Sequence, residues 1–175
     1  MSCEVSPHHL LFCNEDIDET KSSFKMNPPL RSKADQLYLR DSLANNKIDF
    51  VATDHAPHEP NIKTTNFKTS AFGTTGLGAS LRVLLTMWAN NEIDTQRLVE
   101  VFAFNPARFL NLDLSFGSFI VGNKFRGTLV AKHKIPSPYL ENHSHSKSKN
   151  SCFFGTSLNG LIHKVILEQN VIELH

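Results

Sequence analysis

A helix start, a short turn and an apolar strand follow one another within residues 32–53, and that succession restricts the chain to few folds. Ser32-Lys33-Ala34-Asp35 has the form of a capping box, with Ser32 as N-cap and an acid three positions on. Ala34, Leu37, Tyr38, Ala44 and Ile48 fall near one helical face, so a helix is expected to about Asn45. Ile48-Asp49-Phe50-Val51 then reads as a buried strand running to residue 53. Helix, short turn and apolar strand make one βα repeat of a parallel sheet. In such proteins chemistry is placed where a strand ends and a loop begins. Here that edge carries Ala52-Thr53-Asp54-His55-Ala56-Pro57-His58.

Cys3-Glu4-Val5 reads as the end of another strand, with Ser6-Pro7-His8-His9 as its exit loop, and residues 14–24 as a polar loop. Residues 55–75 form a long loop, a kind that in compact domains is either functional or disordered. Leu77, Leu81, Leu84, Leu85 and Trp88 have helical spacing and form a core stripe. Ile93-Asp94-Thr95 opens a helix to about Phe104, restarted by Asn105 as N-cap and Pro106 at its first position. Beyond residue 112 glycines punctuate short apolar runs, Phe119-Ile120-Val121 and Thr128-Leu129-Val130. Residues 132–151 are basic, rich in Ser and His, and read as mobile; 161–166 and 170–174 flank a turn at Glu168-Gln169 and read as a hairpin. The chain thus divides into an α/β part, 1–112, and a small β part, 113–175.

The net charge of +1 gives no electrostatic footing for nucleic acid or an anionic membrane. No apolar run approaches the ~20 residues that span a bilayer, and the first residues lack the basic and apolar regions of a signal peptide. Cys3, Cys13 and Cys152 are far apart and form no C-x-x-C, which fits reduced thiols and a cytoplasmic protein. No nucleic acid or membrane partner is therefore expected.

Asp54 with His55 and His58 could ligate a metal or move protons, and read alone could equally be a polar loop. Asn27, in Lys25-Met26-Asn27-Pro28-Pro29-Leu30-Arg31, reads by itself as a turn residue. His8-His9 tempts a metal assignment, but on a strand successive side chains take opposite faces. His143-Ser144-His145 lies in a basic stretch and reads as solvated surface, because a metal site needs rigidly supported ligands. Gly73-Thr74-Thr75-Gly76 lacks the Gly-Lys-Ser/Thr ending of a phosphate loop.

Taken together and in order, Glu4-Val5-Ser6-Pro7-His8-His9-Leu10, the Asn27 segment and the Asp54 segment closely resemble one family, the dihydroorotases of the cyclic amidohydrolase superfamily. Phe72-Gly73, Gly76-Leu77 and Asn105-Pro106-Ala107 follow in register, and Ser146-Lys147-Ser148-Lys149-Asn150 with Phe154-Gly155 look like the family's C-terminal segment. The resemblance implies an α/β fold: the C-terminal βα units of a TIM (β/α)8 barrel, then a small β-sandwich segment. It implies a zinc enzyme that interconverts N-carbamoyl-L-aspartate and L-dihydroorotate in pyrimidine biosynthesis. Carried over by position, Asp54 would be metal ligand and catalytic general base. Asn27 would bond the substrate ring, His58 the substrate carboxylate, and Phe72 and Gly73 would contact the ring through the backbone. The resemblance does not make His8 or His9 metal ligands.

The family's His-x-His strand and its further ligands find no counterpart here, and a barrel typically needs ~250 residues. This chain alone is therefore expected neither to hold zinc stoichiometrically nor to turn over. A separate N-terminal barrel piece, or an aspartate transcarbamoylase subunit for which the chain is a non-catalytic scaffold, are the partner expectations. Allantoinases and dihydropyrimidinase-like hydrolases share the barrel and the Asp, but Asn27 and His58 argue against them. Local departures from the family pattern are Ala71 for Pro, Gly78 for Glu and Arg126 for Asp.

Overall fold

A computed structural model describes residues 1–64, 66–113, 115–132 and 135–173. Leu174, the last residue of the expected hairpin, lies outside them, as do residues 133 and 134 of the basic stretch. Two short strands, β1 (Glu4–Val5) and β2 (Phe50–Val51), pair in parallel with Val5 opposite Val51. The parallel pairing expected from the βα repeat is thus present, and Phe50 and Val51 are both buried.

Between these strands run α1 (Pro7–Leu11), two single 3-10 turns and α2 (Lys33–Ala44). The segment after β1, expected as a loop, is helical: Pro7 sits in its first turn, where a missing N–H costs nothing. The capping box of α2 forms as the sequence indicates, the Asp35 amide donating to Ser32 Oγ at 3.2 Å and the Ser32 amide to Asp35 Oδ2 at 3.1 Å. Its buried face matches the expected one only at the C-terminal end, where Ala44 packs against the core and Ile48, beyond the helix, is buried. Leu37 and Tyr38 are 54% and 63% exposed, while Gln36 and Leu43 are buried and Leu39 and Ala44 pack against the core. The helix carries two apolar stripes, and the packing of α1 chooses between them.

α3 (Leu77–Ala89) buries Val83, Leu84, Leu85 and Met87 as the central wall of the core; of the expected stripe Leu81 and Trp88 pack against it, whereas Leu77, in the first turn, is 62% exposed. α4 (Thr95–Val99) is capped by Asp94 and continues into a π-helical turn, Glu100–Phe104, and α5 (Asn105–Phe109). Asn105 is no cap: its backbone is helical and its amide reaches back to Glu100 O. Widening this turn accommodates Pro106, which has no N–H to donate. The freed Asn105 side chain donates to Asp49 O at 2.7 Å, tying α5 to the start of β2.

The last third forms an antiparallel sheet of β3 (Arg126–Ala131), β6 (Leu161–Leu167) and β7 (Asn170–Glu173), and a separate pair, β4 (Ser137–Pro138) with β5 (Ser157–Leu158). The hairpin turns at Glu168, as the sequence indicates. Phe119-Ile120-Val121 is not a strand; Phe119 and Val121 are 75% and 104% exposed. Tyr139, Phe153 and Leu158 belong to the same core as β1, β2 and α3. Arg82 of α3 donates to the carbonyls of Ser137 and Leu158, so the β4–β5 pair is held on that helix.

Gly160 shows how close this contact is. Its φ is +80°, and a Cβ there would lie 2.4 Å from the Leu85 Cβ. Left-handed backbone costs an L-residue ~1–2 kcal/mol, and overpacking a core ~1–3. Gly160→Ala is expected to lower stability by about 2–5 kcal/mol. Urea unfolding should show a lower midpoint at unchanged slope, and an unchanged midpoint would contradict the packing described. Gly78 is similarly matched: a Cβ would fall 2.4 Å from Tyr139 Oη, so glycine at this position goes with the buried tyrosine facing it.

Candidate active site

β1 and β2 end side by side, and Ala52 N–H extends their ladder by donating to Val5 O at 3.1 Å. Past that point the chain enters α1 at Ser6–Pro7 and, on the other strand, turns outward at Asp54. Asp54 has φ +46°, a left-handed conformation that Asp and Asn tolerate better than most residues. Its carboxylate is half exposed at the rim of a cleft of about 490 Å³, lined also by Val5, Ser6, His9, Asn27 and Pro28. The Asn27 loop is held there by its flanks: Met26 and Leu30 are buried, which leaves Asn27-Pro28-Pro29 to protrude. The Asn27–Pro28 peptide is cis. Asn27 and Asp54, 27 residues apart in sequence, thus line one cleft.

His58, Phe72 and Gly73 gather elsewhere. His58 Nε2 donates to Phe72 O at 2.7 Å, and Gly73 N–H donates to Lys25 O at 2.9 Å. A Cβ on Gly73 would sit 2.6 Å from Ala56 Cβ, so only glycine fits beside His58. His58 lines a second cleft of about 320 Å³ with Lys63, Ser148, Lys149 and Asn150. Lys63 donates to the carbonyls of Lys25 and Ala71; burial, and then the charge of Lys25, bring its amine down to about 8. Lys25 is the hinge between the clusters, its carbonyl accepting from Gly73 while Asn27 lies two residues on.

The stretch expected to be mobile holds this loop in place. Asn150 is buried; its side-chain amide donates to Ala56 O at 2.9 Å and its carbonyl accepts from Thr75 N–H and Thr74 Oγ. Ser148 Oγ donates to His58 O at 2.7 Å. These contacts span about 75 to 95 residues of sequence, so local composition carries no sign of them. Cys152 lies just beyond, its thiol pushed up to about 12 by burial and therefore unreactive.

His8 and His9 do not alternate, because α1 is a helix: their rings lie 4.4 Å apart and both reach Ser6 Oγ, His8 Nε2 at 2.9 Å and His9 Nδ1 at 2.6 Å. His8 is fully buried, 3.7 Å from Asp54 Oδ2, and burial together with neighbouring His9 holds its imidazole down at about 3, so it is neutral. His143 Nδ1 accepts from the Leu140 amide, a turn contact with no ligand character. Among the described residues no three His, Cys, Asp or Glu side chains are grouped to hold a metal. Asp54 is one carboxylate, and a catalytic zinc takes three protein ligands. The described residues alone do not fit a zinc ion. Among them, too, no helix is long and apolar enough to cross a membrane.

Dihydroorotases are among the curated proteins that match the chain. The dihydroorotase of Desulforapulum autotrophicum is 35% identical over 98% of this chain and 39% of its own length. That of Lactiplantibacillus plantarum is 38% identical over 91% of this chain and 37% of its own, and that of Bacillus subtilis 37% identical over the same shares. The chain spans less than half the length of these curated relatives. Among solved structures, an L-hydantoinase (dihydropyrimidinase) from Arthrobacter aurescens superposes with a TM-score of 0.87 at 25% identity, over 98% of this chain and 39% of that one. A D-hydantoinase superposes at 0.86 with 22% identity over the same shares, which is evidence of a common fold. No family model matches the chain.

Proposed function

The chain belongs to the dihydroorotase family, and on that premise we propose that it carries the substrate-binding and proton-transfer part of a cyclic amide hydrolase. The reaction is the interconversion of L-dihydroorotate and N-carbamoyl-L-aspartate. The β1–β2 pair with its helices corresponds to the last units of a (β/α)8 barrel, over residues 1–112, and residues 113–175 to a segment of small β-sandwich. The observation that carries the reading is the shared cleft of Asn27 and Asp54 at the C-terminal ends of two parallel strands.

Asp54 accepts the proton of the attacking water and returns it to the ring nitrogen as the amide bond breaks. Asn27, with one amide donor pair and one carbonyl, complements the alternating N–H and C=O groups of the ring. His58 takes the substrate carboxylate. Its Nε2–H is held by the Phe72 carbonyl, and exchanging that acceptor for the substrate carboxylate would free the Phe72–Gly73 backbone. The family resemblance brings zinc, whose bound form would supply an electrophile for the ring carbonyl. Of the described residues only Asp54 is assigned to it, and the other ligands come from another stretch of polypeptide.

The test is an assay of ring opening on dihydroorotate, hydantoin and allantoin. The 175-residue chain is loaded with zinc, alone and mixed with a polypeptide bearing a His-x-His strand. Turnover of dihydroorotate above the other two, in the mixture and not in the chain alone, is expected. Near one zinc per chain with turnover unaided would overturn the division of the site. Preference for hydantoin would favour a hydantoinase, the reading to which the solved structures lend fold-level support.

A further inference from the structure

We propose that Ser6, His8 and His9 form a one-way hydrogen-bond chain, running from the His8 ring edge beside Asp54 to the Asn27 loop, in which the His8 Nε2–H given to Ser6 also faces Asp54 and makes His8 a positioning residue for that carboxylate. The inference rests on the reading of Asp54 as the proton-transfer group. The direction of the chain follows from its far end. His9 Nε2 meets Pro28 O at 3.1 Å, and a carbonyl only accepts, so His9 carries its proton on Nε2. Neutral His9 then accepts at Nδ1, and Ser6 must donate its single hydroxyl proton there, at 2.6 Å. Ser6 Oγ has only lone pairs left for His8, so His8 Nε2 is the donor at 2.9 Å.

The assignment accounts for a second observation. His8 Nδ1 is buried with no hydrogen-bond partner. In the tautomer just derived it is a bare lone pair, and no unpaired N–H is left buried. The opposite tautomer would bury an unpaired donor at Nδ1 and turn the Nε2 lone pair towards the Asp54 carboxylate, two unfavourable contacts at once. With Nε2–H in place, Asp54 Oδ2 faces the positive edge of a neutral ring at 3.7 Å, just outside hydrogen-bond reach. A small swing of the half-exposed carboxylate would close that gap, the one Nε2–H then being shared between Ser6 Oγ and Asp54 as a three-centre bond. The far end of the chain grips the carbonyl one residue after Asn27, so one relay registers both residues of the cleft.

The test uses nitrogen-15 NMR of the histidine rings and three-bond couplings of Asp54 on the whole chain, without metal or substrate. It is run at about pH 8, above the ordinary histidine range. His8 and His9 should both show pyrrole-type nitrogen at Nε2 and pyridine-type nitrogen at Nδ1. Asp54 should hold one dominant χ1 rotamer in the unmodified chain and in His8→Gln, whose amide donor replaces Nε2–H. In His8→Leu and in the milder Ser6→Ala the rotamer populations should approach equality. A proton on His8 Nδ1, or Asp54 populations unmoved by Ser6→Ala and His8→Leu, would overturn the proposal. The tautomer needs no variant, so a misfolded His8→Leu leaves a decisive measurement. Absence of ring-opening turnover would count against the hydrolase reading and leave the relay standing.

Discussion

Phe153→Ala should cost about 3–5 kcal/mol, the loss expected when a fully buried aromatic ring is removed and its cavity does not close. Phe153 is 0% exposed, and its ring lies 5.6 Å from that of Phe12, which follows α1. It thus joins a late segment of the chain to the elements that carry the cleft. The neighbouring residues add to this, Ser151 Oγ donating to Thr75 O and the Cys152 amide to Thr74 Oγ1. Loss of the ring should therefore loosen the loop around His58 as well as lower the melting point. Urea unfolding and hydrogen exchange at residues 73–76 are the measurements. A loss under about 1 kcal/mol, the scale of an ordinary surface change, would show that the late segment is not part of the core.

Asp54→Asn should lower the ring-opening rate of the zinc-loaded mixture by about 10²–10⁴-fold, the usual worth of a positioned proton-transfer group. The substitution isolates chemistry from folding. Asn is isosteric with Asp, and it tolerates the left-handed backbone at this position at least as well. The half-exposed carboxylate also makes few contacts to lose. Unfolding should therefore be unchanged while kcat falls. A rate within threefold of the unmodified chain would remove Asp54 from the chemistry.

Much of this architecture is written in local sequence. The capping box at Ser32 and the hairpin at Glu168 arise from contacts between near neighbours, and burial of Leu84 and Leu85 in α3 from a periodic pattern; Phe50-Val51 stands out as an apolar run, although its partner strand lies 46 residues earlier. Where sequence reading went astray, a distant partner had decided the outcome. α2 turned Leu37 and Tyr38 to solvent because α1 packs on its other stripe. Asn105 gave up its cap because the helix runs on through the π turn before it, and its side chain reaches the distant Asp49 carbonyl instead. The Ser148–Asn150 strip, hydrophilic and featureless by composition, is ordered by the loop that it braces.

By itself the sequence determined kinship and the identity of the residues with chemical capacity, because motif order along a chain survives without knowledge of contacts. Asn27, Asp54 and His58 were legible in that way as candidates. Only the tertiary structure decided how they are grouped: Asn27 with Asp54 in one cleft, His58 in another, bonded to the Phe72 carbonyl beside Gly73. It also decided that His8 and His9, indistinguishable as neighbours in sequence, differ as a buried ring beside Asp54 and an outer ring on the Asn27 loop. The physical reason is the same in each case. Residue type sets what a side chain can donate, accept or bury, whereas packing across the chain sets which partner it meets.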